Sequence, residues 1–199
     1  MAMKQERARR TRESILDAAA HEFASHGYER TTLKAVADRM KMSKGALYGH
    51  FTCKDELAEE MIRQAGQTWL LIRESAGAPG NPWHVALRSL VTGLAWCSQE
   101  DIRFGAALRL LGDRSTDVAS PSGFVAELQQ TLAEELVRAQ RSGGLPDWPP
   151  AQGLARLVVA LVVGGRRSGE GGAAKTTAED VALLWDMVES LARMPARGL

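Results

Sequence analysis

Within the stretch TTLKAVADRMKMSKGALYGHF, Thr31 to Phe51, a hydroxyl, an ammonium, a phenol and an imidazole fall close together at Ser43, Lys44, Tyr48 and His50. All four groups donate hydrogen bonds, so the chemistry they share is the grip of phosphates and polar edges. Gly45 and Ala46 add almost no bulk, which lets a backbone come close to whatever the donors hold. Leu47 and Phe51, four residues apart, are the apolar anchors that tie such a segment to its own domain. A solvated amphipathic helix does not account for glycine, tyrosine and histidine together. Bond-making chemistry has little support. His21, His26, His50 and His84 are scattered, Cys53 and Cys97 lack an evident activating partner, and no nucleophile elbow, phosphate loop or dinucleotide fingerprint occurs. Neither an enzyme, a cofactor nor a metal site is expected.

The elements that must position these groups are helical, because apolar residues recur with a period near 3.6 and no alternating strand is visible. Leu16, Ala19, Ala20 and Phe23 mark a first helix, ended by His26-Gly27. Thr31 or Thr32 caps a short second helix carrying Leu33, Val36 and Ala37, and Ser43 caps a third that runs to about Phe51. Thr52 to Asp55 matches a capping box, opening a long fourth helix through Leu57, Met61, Ala65, Trp69 and Ile72. Asn81 and Pro82 start a fifth as cap and first residue, Ile102 a sixth, and Pro121 a seventh that closes at SGGLPDWPP. Two apolar helices finish the chain, the first with Leu154, Leu157, Val158, Leu161 and Val162, the second with Val181, Leu184, Trp185, Val188 and Leu191. About nine helices result, an all-α fold. Their terminal stripes predict a homodimer through Leu157, Val158, Leu161, Val162, Leu184, Trp185, Val188 and Leu191.

Composition agrees with one such molecule. The chain has 199 residues, 45% of them hydrophobic, enough for a substantial core. Two cysteines suit a reducing compartment, and neither a secretory leader nor a membrane-length apolar run is evident, so a cytoplasmic location without a membrane partner is expected. Net charge is only +1, yet residues 1–54 carry eleven Lys and Arg against six Asp and Glu. That imbalance suits one end to meeting a polyanion, and a solvated basic tail would show the same charge. Two short helices joined by a turn, behind a longer one, are the arrangement of a helix-turn-helix DNA reader.

Here the sequence resembles the TetR family of bacterial transcriptional regulators, through RESILDAAAHEFASHGYERTTL and MSKGALYGHFTCKDELAEEM. The resemblance implies a helix-turn-helix domain over 1–53 and a helical ligand-binding and dimerisation domain over 54–199. It also implies a repressor released from a palindromic operator by a small-molecule effector. Carried over by position, Thr32, Lys41, Ser43, Lys44, Gly45, Ala46, Tyr48, His50 and Lys54 are the expected contacts to double-stranded DNA. Lys41 stands where the family usually has a turn glycine, which predicts a strained positive φ. Gly49 is expected to soften the reading helix. KGALYGHF and GLAWCSQEDIRFGAALRLL look similar to the γ-butyrolactone receptor branch, although FVAELQQTL has Leu128 where that branch often places tryptophan. Trp69, Trp83, Trp96, Phe104, Leu108, Leu128 and Thr131 are the expected pocket, with Gln129 and Gln130 as further polar candidates. The fourth helix, running from Lys54 to Trp69, is the expected route from pocket to DNA. The alternative is a ligand-independent regulator that works constitutively or through a protein partner.

Overall fold

A computed structural model describes residues 2–78, 80–114, 123–164 and 190. Eight helices are formed there: α1 (Ala2–Arg30), α2 (Leu33–Arg39), α3 (Lys44–Tyr48), α4 (Lys54–Ala76), α5 (Trp83–Glu100), α6 (Ile102–Arg114), α7 (Phe124–Arg141) and α8 (Ala151–Gly164). No strand occurs among the described residues. The expected ninth helix, with Val181, Leu184, Trp185, Val188 and Leu191, lies outside them, as does the expected start of the seventh at Pro121.

A single buried apolar cluster joins the elements. Ile15, Leu16 and Phe23 of α1 meet Val36, Leu47 and Phe51 around the short helices, and the cluster continues through Leu57 and Met61 to Trp69, Leu90, Phe104 and Leu128. The α6 helix is central to the assembly, packing along α1 and across α4, while α7 lies on α8. The α1–α6 pair runs parallel. Arg103, near the start of α6, bonds Glu13 and Asp17, whereas Asp113, near its end, accepts from the Tyr28 backbone N–H at 3.0 Å.

The first helix begins at Ala2, well before its apolar stripe, and its regular turns end at Gly27, as expected. There it kinks, with φ 73°, and resumes as far as Arg30. Glycine is required at the kink twice over, since φ is left-handed and a Cβ would lie 2.7 Å from Asp113 Oδ2. The third helix ends at Tyr48, so Gly49 closes it rather than softening its interior. The expected capping box does not form: Cys53 is the cap of α4 without a side-chain bond, and Glu56 accepts from both the N–H and the hydroxyl of Thr52. Asp55 instead receives the Tyr28 hydroxyl. Finally, Pro82 is the cap of α5 rather than its first residue, and Asn81 donates backwards to the Ala76 carbonyl at the end of α4.

Candidate functional site

The α2–turn–α3 unit is fastened at each start by a hydroxyl. Thr32 Oγ1 accepts from Ala35 N–H at 3.1 Å, and Ser43 Oγ from Ala46 N–H at 3.2 Å. Between the helices Lys41 adopts φ 54°, the left-handed conformation expected of a turn residue there. Its N–H donates to Asp38 O and that of Met42 to Ala37 O, so the strain is held by a fully bonded turn. Leu47 and Phe51 are buried and anchor α3. Lys44, Gly45, Ala46 and Tyr48 are exposed in one run, Tyr48 at 49%. His50 is half-buried, its N–H bonded to Leu47 O.

Gly45 carries the most information. A Cβ built on it would meet nothing within 4 Å. Glycine costs roughly 1 kcal/mol against alanine inside a helix, and here no internal contact requires it. With five residues α3 has only a small dipole, and Ser43 caps its start.

Lys54 is placed differently from the rest. Its ammonium donates to the Tyr28 carbonyl at 2.7 Å and lies 4.1 Å from the centre of the Tyr28 ring. It therefore ties the start of α4 to the end of α1, a structural duty that the sequence did not reveal. Arg12 was also missed. It lies over the Phe51 ring at 4.4 Å and approaches Glu60 at 3.5 Å, bracing the end of the reading segment against α1 and α4. The hydrogen bond from Arg63, then burial acting in opposition, then Gln64 and the neighbouring guanidinium charges hold the Glu60 carboxyl down to about 2.

The surface that presents Gly45 coincides with a segment of known type. Residues 15–61 match the model of the bacterial regulatory proteins of the tetR family. Over 170 residues the chain is 31% identical to the probable acrEF/envCD operon repressor of Escherichia coli K12, covering 81% of this chain and 74% of that one. The protein belongs to the TetR family. It is a DNA-binding transcriptional repressor, not an enzyme. It is also 41% identical over 90 residues to the A-factor receptor protein of Streptomyces griseus, spanning 45% of this chain and 29% of that protein. Among solved structures, a γ-butyrolactone receptor described as an ArpA-like protein superposes with TM-score 0.76 at 24% identity, covering 94% and 96% of the two chains. CprB of Streptomyces coelicolor, in complex with its operator sequence, gives TM-score 0.76 at 27% identity, with 91% and 87% covered. Regulators of the TetR family bind operator DNA and ligands and act as dimers.

In the larger half of this TetR-family chain, the expected pocket residues separate into two groups. Trp69, Phe104, Leu108, Leu128 and Thr131 are all buried in the helical core. Trp69 is fully buried, and its indole N–H has no hydrogen-bond partner in the chain. Trp96 stands 61% exposed, because the inward face of α5 is occupied by Leu90, Val91, Leu94 and Ala95. Trp83 packs edge-on to His84 and lies against Gly144, where a Cβ would come 2.3 Å from its Nε1. It lies against the α7–α8 turn. Gln129 and Gln130 line an outer cleft of about 780 Å³ between α7 and α8, with Ala133, Val137, Gln152 and Arg156. Of the expected pocket residues, Trp96 and Gln130 are thus exposed rather than turned into the core.

The expected dimer stripe divides similarly. Leu157 is 56% exposed and Val158 and Leu161 are half-buried, whereas Val162 is buried in its own chain beside Val159. Leu184, Trp185, Val188 and Leu191 lie outside the described residues. Among the described residues no group of three metal-binding side chains occurs, and no helix is long and apolar enough to cross a membrane. Cys97 is a poor nucleophile, since burial, and after it the Asp101 carboxylate, raises its pKa.

Proposed function

We propose that a homodimer of this repressor holds a palindromic operator and releases it when an acyl γ-butyrolactone or a close relative enters the core around Trp69. In this reading residues 1–53 contact DNA and residues 54–199 bind effector and partner. Lys44, Gly45, Ala46 and Tyr48 read the major groove, with Thr32, Lys41, Ser43 and His50 set toward the backbone. Leu157, Val158 and Leu161 contribute to the dimer, which sets the two reading helices about 34–36 Å apart or a multiple of that spacing.

The observation that carries the effector assignment is the unpartnered Trp69 indole N–H. A buried donor left without an acceptor costs about 1–3 kcal/mol. Phe104, Leu108 and Leu128 in the same core are apolar, so an effector able to satisfy that donor brings a carbonyl on an otherwise hydrophobic body. A lactone with an acyl chain has that shape, and likeness to the A-factor receptor and the γ-butyrolactone receptors supports it.

The test is Trp69→Phe, which keeps an aromatic ring and removes the donor. Titration with a synthetic acyl γ-butyrolactone should show affinity lower by roughly tenfold, the loss of about one hydrogen bond, with operator affinity unchanged. Equal lactone affinity in both proteins would dismiss the donor. Failure of the lactone to release wild-type protein from DNA would dismiss the ligand class.

A further inference from the structure

The α1 helix outruns the domain it belongs to. Arg12 sits over Phe51, immediately beyond the reading helix, and α1 continues N-terminally from there to Ala2, about 15 Å at 1.5 Å per residue. Nothing apolar explains the extension, because Met3, Lys4, Gln5, Arg7, Ala8, Arg9 and Arg10 are all exposed. Its cations fall into two sets. Arg9 and Arg10 both bond the Glu6 carboxylate, at 3.0–3.1 Å. Lys4 and Arg7 have no acidic partner among the described residues.

Helical register gives the unpaired set a direction. Lys4 and Glu22 are eighteen residues apart, five whole turns, so they share a face of α1. Glu22 is the residue that pairs with Arg39 of α2 at 2.7 Å. Arg7 stands within about 60° of that face. Glu13, nine residues from Lys4, lies two and a half turns away on the opposite face, where Arg103 of α6 takes it. The α6 side leads to the effector half, and the α2 side leads to the phosphate backbone that the first helix of such a reader crosses.

We propose that the N-terminal turns of α1 form a basic arm whose Lys4 and Arg7 contact phosphates beyond the stretch spanned by α2 and α3. The arm lengthens the footprint and raises affinity without reading sequence. It rests on the DNA-binding reading, and its test keeps the two separate by using one duplex, recovered by the wild-type protein from a random pool.

Two double variants of equal charge change are compared on that duplex by fluorescence anisotropy at several salt concentrations. For Lys4→Gln with Arg7→Gln, the slope of log affinity against log salt should flatten by roughly 1.8 per bound protomer, two contacts at about 0.9 each. Base preference in a repeated selection should not change. For Arg9→Gln with Arg10→Gln the slope should stay near the wild-type value. An unaltered slope for the first variant overturns the arm. So does an equal loss in the second, which would trace the effect to net charge alone. All four positions are exposed, and matching thermal melts establish that both variants fold.

Discussion

Lys44, Gly45 and Tyr48 are exposed on α3, and Gly45 allows their proposed part in DNA binding to be measured. Gly45→Ala adds a methyl group to open space and removes glycine's entropic cost. Thermal stability should therefore rise, by up to ~1 kcal/mol, while operator affinity falls as the methyl obstructs the approach of DNA. A stabilised variant with unimpaired operator binding would show that DNA does not press on α3 there. The exposed face of α3 was legible in the sequence because its residue types are wrong for a core. Lys54 and Arg12 were misread or missed for the complementary reason. A cation that binds a backbone carbonyl or a ring edge leaves no spacing pattern, since its partners, Tyr28 and Phe51, are fixed only by tertiary packing.

At the scale of elements, the long helices were visible from their apolar stripes, and the errors fell at their ends. The start of α1 has no stripe to announce it, and the cap of α4 falls on Cys53, one residue beyond the expected Thr52. Trp96 was misplaced because tryptophan is heavy enough to suggest burial, although its angular position on α5 points it outward. The joints between elements are charged, which makes them sensitive to pH. Glu60 of α4 pairs with Arg63 and reaches Arg12 of α1. Its folded pKa of about 2 lies below the ordinary 4.5. A depressed carboxyl contributes stability that is fully present above the unfolded value and disappears as pH falls through the folded one. The stabilisation, on the order of 3 kcal/mol at most, should thus fade between pH 4.5 and 2. Glu60→Gln should melt at a lower temperature than wild type at neutral pH, and the gap should close in acid. A gap independent of pH would assign Glu60 a packing role only.

For the whole molecule, assembly decides function, because one protomer offers a single short reading helix. Leu157 and Leu161 lie on the outer side of α8, so charging them leaves the core formed by Ala155, Val159 and Val162 in place. Leu157→Glu with Leu161→Glu should sediment as a folded monomer and lose operator affinity by at least about a hundredfold, as the second half-site ceases to be tethered. A dimer that persists would locate the interface on other helices. The overall architecture was readable because a helical period and a charge imbalance survive any packing, whereas which α8 residues turn inward depends on where α7 lies. The straight run of α4 has a consequence for gearing. Trp69 and Lys54 are fifteen residues apart on one helix, a shaft of about 22 Å. A tilt of about 5° at the effector end moves the other end by ~2 Å, more than half the 3.4 Å rise between base pairs of one strand. An effector therefore needs to loosen the core only slightly to put both reading helices out of phase with the double helix.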